Sequence, residues 1–173
     1  MKVLVVYFSQ TGNTEKVAQA IFREASQTHE VETKKLEEVN AGDLAGYDFV
    51  FIGSPIHAGN LSGPVKDFLN SLQTPPGQKM AGFITHAGPA YPEQIMSKFT
   101  EPFKAACEKN ALKYLGCFNC QGFLNPAIHE MLKKSQNLTD EQWAERVKQM
   151  TDHPNAEDLA KAKAFTREVL AKN

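Results

Sequence analysis

Residues 3–14 read VLVVYFSQTGNT, and this stretch decides the fold. The apolar run over residues 3–8 predicts a strand, and the apolar spacing after residue 14 predicts a helix. The polar residues between them surround a single glycine, Gly12. The first backbone N–H groups of a helix have no intrahelical partner, and the helix dipole favours an anion there. A strand, a polar loop and a helix start therefore predict a phosphate cradle.

The composition of this loop limits the kind of phosphate that it can hold. No lysine or arginine lies between residues 9 and 14, which excludes the signature of triphosphate-binding loops, and one glycine does not match the dinucleotide pattern. The alternative is an ordinary helix cap. We expect a monophosphate held by the side chains of Ser9, Thr11, Asn13 and Thr14 and by the backbone of Gln10 and Gly12.

Strand-like and helix-like patterns alternate along the chain, which predicts βαβ units and a parallel sheet. The predicted strands are residues 2–8, 30–35, 48–53, 80–85 and 112–118. The predicted helices are residues 14–28, 63–72, 92–110 and 155–172, with a short turn at 42–44. This pattern predicts a doubly wound five-stranded sheet of order 2-1-3-4-5 in a single α/β domain over residues 1–173. A ligand site is expected at the carboxyl ends of strands one and three.

Residues 122–155 are extra to this minimal pattern and form a predicted helical insertion after strand five. A short helix is predicted over residues 126–134, and the Thr-x-x-Gln sequence at residues 139–142 has the form of a capping box. Two interpretations are open: a lid or partner surface, and a packed helical decoration.

Three motif loops resemble those of the flavodoxin family. The sequence SQTGNT at residues 9–14 resembles the FMN-phosphate loop. DFVFIGSP at residues 48–55 resembles the third strand and first flavin-flanking loop, and GPVKDFL at residues 63–69 resembles the helix that follows. THAGP at residues 85–89 falls where the second flavin-flanking loop should be. The resemblance implies a flavodoxin-like fold with FMN as cofactor.

The resemblance also implies a site without catalytic side chains or a metal, because the flavin itself carries the redox chemistry. Ser54 is expected to donate to the flavin, Tyr91 is the best stacking candidate, and His57 is expected to contact the ring, while the role of His86 stays open. The implied cofactor-binding residues are Ser9, Gln10, Thr11, Gly12, Asn13, Thr14, Ser54, Pro55, Ile56, His57, Ala58, Gly59, Asn60, Thr85, His86, Ala87, Gly88 and Tyr91.

Gly59 has a further implied role. In flavodoxins a peptide of the first flavin-flanking loop often turns its carbonyl toward the reduced ring, and a glycine can reorient its peptide without steric penalty. By resemblance, the peptide between Ala58 and Gly59 or between Gly59 and Asn60 would do this. A plain Gly-Asn turn is the alternative.

Two functions follow from the resemblance. The leading one is electron transfer between redox partner proteins on non-covalently bound FMN, and the alternative is an FMN-dependent NAD(P)H:quinone or FMN reductase of the same fold. A carrier is expected to be a monomer and a reductase an oligomer. A flavin-binding module without redox partners is a third class. The formal charge of −1 favours neither a nucleic-acid nor a membrane partner, and it departs from the acidic character of electron-shuttling flavodoxins.

Cysteine usage and the start of the chain predict a cytoplasmic protein. Three cysteines are an odd number, and residues 1–8 do not have the form of an export signal. Cys117 and Cys120 have CxxC spacing, which is compatible with a redox dithiol or a metal site. Two residues three apart on a strand point to opposite faces, so we expect buried structural thiols instead.

Overall fold

The computed structural model describes residues 1–88 and 91–172. Within these residues six strands form one sheet: β1 (Lys2–Tyr7), β2 (Glu30–Lys35), β3 (Phe49–His57), β4 (Asn60–Leu61), β5 (Lys79–His86) and β6 (Lys113–Gln121). Five strands are parallel, in the order β2-β1-β3-β5-β6, and β4 pairs with the end of β3 in the antiparallel sense. The predicted order 2-1-3-4-5 is confirmed, since β5 and β6 are the fourth and fifth parallel strands.

Helices cover both faces of the sheet. Helices α1 (Asn13–Ala25) and α6 (Ala156–Ala171) pack on one face, and α2 (Gly63–Ser71) and α3 (Glu93–Lys109) pack on the other. Helices α4 (His129–Ser135) and α5 (Asp140–Met150) lie in the segment between β6 and α6. Short 3-10 turns occur at Leu36–Glu38, Ala41–Gly46 and Pro126–Ile128. No helix in the described ranges has both the length and the apolar character needed to cross a membrane.

Alternate side chains of the central strand β1 belong to two separate apolar cores. Leu4 and Val6 pack in the core that includes α2 and α3, whereas Val3 and Val5 pack with α1 and α6. This alternation follows from the two-residue period of a strand. A sheet buried on both faces explains why its central strands are apolar almost throughout.

Two strands are longer than the pattern predicts. β3 continues past Gly53 to His57, because its last residues pair with β4 in a hairpin. β6 continues to Gln121, where it pairs with the end of β5. The candidate site lies at these extended carboxyl ends of β3 and β6 and at the end of β5 between them.

The insertion folds as a packed helical unit. The predicted capping box is confirmed, because Thr139 Oγ1 accepts from Gln142 N–H at 3.2 Å while Gln142 Oε1 accepts from Thr139 N–H at 2.9 Å. The His129 ring lies edge-on to Phe123 and to the buried Trp143, with centroid distances of 5.8 and 5.3 Å. The interpretation of residues 122–155 as a packed helical decoration therefore holds for the interior of this segment.

Candidate functional site

The loop after β1 leads into α1 with an uncapped helix terminus. Gly12 is the N-cap and has a φ of 82°, a left-handed conformation that glycine adopts without strain. No side chain of the described residues caps this helix. Nothing lies within 4 Å of the position of a Cβ atom on Gly12. The start of α1 therefore has no side-chain cap from the described residues, which leaves first-turn N–H groups available to an anion.

Two hydroxyl groups in this loop are oriented by bonds that they accept. Ser9 Oγ accepts from Gly12 N–H at 3.1 Å, and Thr11 Oγ1 accepts from the Asn13 side-chain amide at 2.9 Å. Each hydroxyl keeps its own hydrogen for a further acceptor. Gln10 and Thr11 are exposed at the tip of the loop. The loop can therefore present neutral donors to an anion.

Asn13 and Thr14 fix the loop to the rest of the fold. The Asn13 side-chain amide also donates to the Phe123 carbonyl at 2.6 Å, which ties the start of α1 to the start of the insertion. The buried Thr14 hydroxyl pairs with the Thr85 hydroxyl at 2.9 Å, which ties it to the end of β5. Sequence reasoning missed Phe123, because nothing local predicts a contact across 110 residues.

The β3–β4 hairpin forms the second side of the site. Ser54 is fully buried, and its hydroxyl donates to the Pro55 carbonyl at 2.8 Å while accepting from Ser62 N–H at 3.0 Å. The expectation that Ser54 donates to the flavin is therefore corrected: this hydroxyl closes the base of the hairpin. Pro55 and Ile56 are partly buried above it.

The hairpin turn has two central residues with positive φ, Ala58 at 49° and Gly59 at 77°. His57 pairs with Asn60 across it, so this is a two-residue turn of type I′ with Ala58 and Gly59 at its centre. Reorientation of a peptide at Gly59 toward the flavin stays a prediction. Residues 57–60 are exposed, and Asn60 Oδ1 accepts from Leu61 N–H at 2.9 Å. Enough protein surrounds the His57 ring to lower its pKa below 6.5 by desolvation. Ring contact by His57 stays a prediction.

The third side of the site is the segment after β5. His86 is buried at 4% exposure, and its Nδ1 and Nε2 lie 3.0 Å from the Gly88 carbonyl oxygen and 3.2 Å from Asn119 Oδ1. The Ala87 carbonyl accepts from the Gln121 side-chain amide at 3.2 Å. Pro89, which belongs to the same sequence motif, lies outside the described residues.

Tyr91 packs edge-on against two rings. Its centroid lies 4.8 Å from that of His86 and 5.3 Å from that of Phe99. A Cβ atom on Gly88 would lie 2.3 Å from the Tyr91 hydroxyl, so a larger residue at position 88 would require the Tyr91 ring to move. Tyr91 thus packs between His86 and Phe99. Its stacking on a flavin stays a prediction.

Cys117 and Cys120 of the CxxC sequence both lie on β6. Cys117 packs in the core with α2 and α3, whereas Cys120 is buried in the opposite core. Burial raises the pKa of both thiols. The expectation of opposite faces is confirmed. No cluster of three or more His, Cys, Asp or Glu side chains within residues 1–88 and 91–172 is arranged to hold a metal ion.

Comparison with known proteins agrees with this architecture. The protein-family model described as the flavodoxin domain matches residues 4–167 of the chain. The chain belongs to the flavodoxin family. This flavodoxin domain is 29% identical over 178 residues to the flavodoxin-like domain-containing protein BilS of Clostridioides difficile, a match that covers 99% of the chain and 98% of the relative. It is 25% identical over 171 residues to an uncharacterized protein of Methanocaldococcus jannaschii, covering 98% and 99% of the two chains.

A solved structure shows the same fold. Oxidised Flavodoxin 1 from Bacillus cereus matches this flavodoxin domain with a TM-score of 0.69 at 19% identity, covering 99% of this chain and 98% of that one. The family implies a flavin cofactor. An open, uncapped helix terminus with neutral donors beside it fits the phosphate end of such a group.

Proposed function

We propose that this flavodoxin domain binds FMN without a covalent bond and carries electrons on it between redox partner proteins. The observation that carries the proposal is the uncapped start of α1, which opens at the same end of the sheet as the β3–β4 hairpin and the segment after β5. Ligands of doubly wound sheets bind at this end of the strands.

The loop residues have distinct tasks in this proposal. The first-turn N–H groups of α1 and the hydroxyls of Ser9 and Thr11 hold the phosphate, because their hydrogens are available while their oxygens are engaged inside the loop. Asn13 and Thr14 stabilise the conformation of the loop through their hydrogen bonds to Phe123 and Thr85. When bound, FMN supplies the redox chemistry of its ring.

The two other segments flank the ring. The hairpin turn at residues 57–60 presents exposed groups to one side, and Ala87 and Gly88 line the other. Type I′ turns match the twist of their strands, so the hairpin forms a well-defined wall. The protein therefore binds and orients the cofactor, and its near-neutral charge of −1 gives partners little long-range steering.

A binding experiment tests the phosphate assignment. Flavin-free protein is titrated with FMN and with riboflavin while flavin fluorescence is recorded. We expect FMN to bind more tightly than riboflavin, and Thr11→Val to weaken FMN about tenfold with little effect on riboflavin, because a hydrogen bond to a charged group is lost. Thr28→Val is the matched control, since Thr28 is exposed beyond the other end of α1.

A redox experiment tests the electron-transfer assignment. The loaded protein is reduced anaerobically with dithionite, then reoxidised with cytochrome c, and a second sample receives NADPH. Reduction by dithionite, transfer to cytochrome c and no bleaching by NADPH are expected. Rapid bleaching by NADPH would favour the reductase, and failure to bind FMN would contradict the whole proposal.

A further inference from the structure

His86 lies at the point where three segments of the site meet. It is the last residue of β5, its ring is buried, and its backbone carbonyl accepts from Gly122 N–H at 2.9 Å. Its side chain reaches Gly88 in its own loop and Asn119 on the neighbouring strand β6. Tyr91 closes the remaining side with an edge-on contact. A buried histidine with two polar partners at this position has a defined orientation.

The partners determine which nitrogen carries the proton. A backbone carbonyl only accepts, so the 3.0 Å contact with Gly88 requires a hydrogen on Nδ1. In neutral imidazole Nε2 then presents a lone pair, and the Asn119 amide must turn its NH₂ group toward it across 3.2 Å. His86 is therefore a donor to the loop and an acceptor from β6.

The surroundings favour this neutral form. Burial is the largest influence on the pKa of His86 and lowers it below 6.5, while the contacts with Asn119 and Gly88 and the more distant Asp158 carboxylate on α6 oppose the shift. Tyr91 is the other titratable side chain in contact with the ring. At pH 7 the Nδ1–H form thus holds the loop.

We propose that His86 is a positioning residue for the flavin ring, which fixes the second flanking segment by donating from Nδ1 to the Gly88 carbonyl. The inference rests on the proposed function. Gly88 lies close to Tyr91, since a Cβ atom on Gly88 would be 2.3 Å from the Tyr91 hydroxyl, and the Gly88 carbonyl oxygen lies 3.0 Å from His86 Nδ1. Without this donor, the carbonyl turns toward water and the segment loses its shape beside the ring.

Two amide replacements separate the two ring nitrogens. His86→Asn places an N–H group near the position of Nδ1 and can donate to Gly88, whereas His86→Gln reaches toward Asn119 and His86→Phe keeps only the ring volume. We expect His86→Asn to bind FMN within about threefold of the unmodified chain, and His86→Gln and His86→Phe to bind about tenfold more weakly. Thr28→Val, at an exposed position beyond the other end of α1, is the matched control and should have little effect.

Riboflavin affinity and thermal unfolding provide the discriminating readouts. A ring-positioning role weakens riboflavin and FMN by the same factor, whereas damage to the phosphate loop would weaken FMN alone. The proposal requires that His86→Asn binds FMN more tightly than His86→Gln even where the two flavin-free variants have equal melting temperatures. Equal FMN affinities for His86→Gln and the unmodified chain would overturn the proposal while the proposed function stands.

Nitrogen-15 and carbon-13 NMR of the flavin-free chain test the tautomer and the Gly88 carbonyl directly. We expect an Nδ1–H imidazole for His86 at pH 7 and a shift of the Gly88 carbonyl resonance in His86→Phe that is smaller in His86→Asn. An Nε2–H imidazole would overturn the proposal without affecting the proposed function. If the unmodified chain does not bind FMN at all, the proposed function and the role of His86 both fail. Failure of the His86 role alone is therefore distinguishable from failure of the proposed function.

Discussion

Gly122→Ala tests whether the insertion holds the phosphate loop. Gly122 is buried where β6 ends, and a Cβ atom there would lie 2.8 Å from Asn13 Cγ and 2.9 Å from its amide nitrogen. The Asn13 side chain must move to relieve this overlap. It then loses its 2.6 Å bond to the Phe123 carbonyl and its 2.9 Å bond to the Thr11 hydroxyl.

The size of the effect follows from these two bonds. Each contributes about 1 kcal/mol, so Gly122→Ala should lower the free energy of unfolding by about 2 kcal/mol. For a chain of 173 residues this corresponds to a fall of about 4–8 °C in the melting temperature. Since the displaced Asn13 also releases Thr11, we expect FMN affinity to fall about tenfold while riboflavin affinity is nearly unchanged.

Urea unfolding and flavin titration measure these effects, with Gly42→Ala as the matched control. A Cβ atom on Gly42 has nothing within 4 Å, and its φ is outside the left-handed region, so this change should be nearly neutral. In an Asn13→Ala background the amide is gone, although the Asn13 Cβ stays 3.0 Å from the added methyl. Both bonds are already lost in that background, so Gly122→Ala should cost about 2 kcal/mol less there than alone.

Strict additivity of the two substitutions within about 0.5 kcal/mol would refute this reasoning, because it would mean that Asn13 and Gly122 act independently. An equal loss of FMN and riboflavin affinity would also refute it, since the predicted damage is confined to the phosphate end of the site.

Three other predictions concern groups away from the phosphate loop. Because burial lowers the pKa of His86 in the folded chain, the unfolded chain takes up this proton first as the pH falls below about 6.5. The free energy of unfolding should therefore fall with pH until the pH passes the lowered pKa. Urea titrations at several pH values should show that the free energy of unfolding depends less steeply on pH in His86→Asn. Desolvation raises the pKa of the thiols of the half-buried Cys117 and the buried Cys120. A thiol reagent at pH 8 should therefore modify neither within minutes in the native protein and both in guanidinium, and rapid native labelling would contradict this shielding of the thiols. Arg167→Met leaves the nearly buried Glu24 carboxylate without its 2.6 Å partner and should lower the free energy of unfolding by about 1–2 kcal/mol. A change below about 0.3 kcal/mol would mean that water replaces the ion pair. Arg167→Lys, which keeps the positive charge, is the control.

Much of the fold was predictable because it depends on local patterns. The apolar period of two or 3.6 residues decides whether a segment packs as a strand or a helix, and alternation of the two leads to a parallel sheet. The capping box at Thr139 is local in the same sense, since both partners lie within one turn. The order 2-1-3-4-5 suits five strands with interleaved helices, because the rules for connections leave few topologies for such a chain.

The β3–β4 hairpin was not predictable by the same means. Residues 54–60 contain proline, glycine and asparagine, which indicate a loop, but their pairing depends on where β3 projects beyond its neighbours. Ser54 is the clearest case. A serine after a strand can face a ligand or the chain, and its burial against Ser62 is decided by the hairpin rather than by its type.

The amino-acid pattern alone thus defines a doubly wound sheet and the neutral, hydroxyl-rich loop at the start of its first helix, because strand periodicity and helix termini act over a few residues. Only the tertiary structure decides which of those polar groups face outward. Asn13 meets Phe123 across 110 residues and His86 meets Asn119 across 33, and both contacts exist because the ends of β1, β5 and β6 converge at one edge of the sheet. Hydrogen-bond partners at that distance follow from the packing of whole elements, which no local pattern encodes.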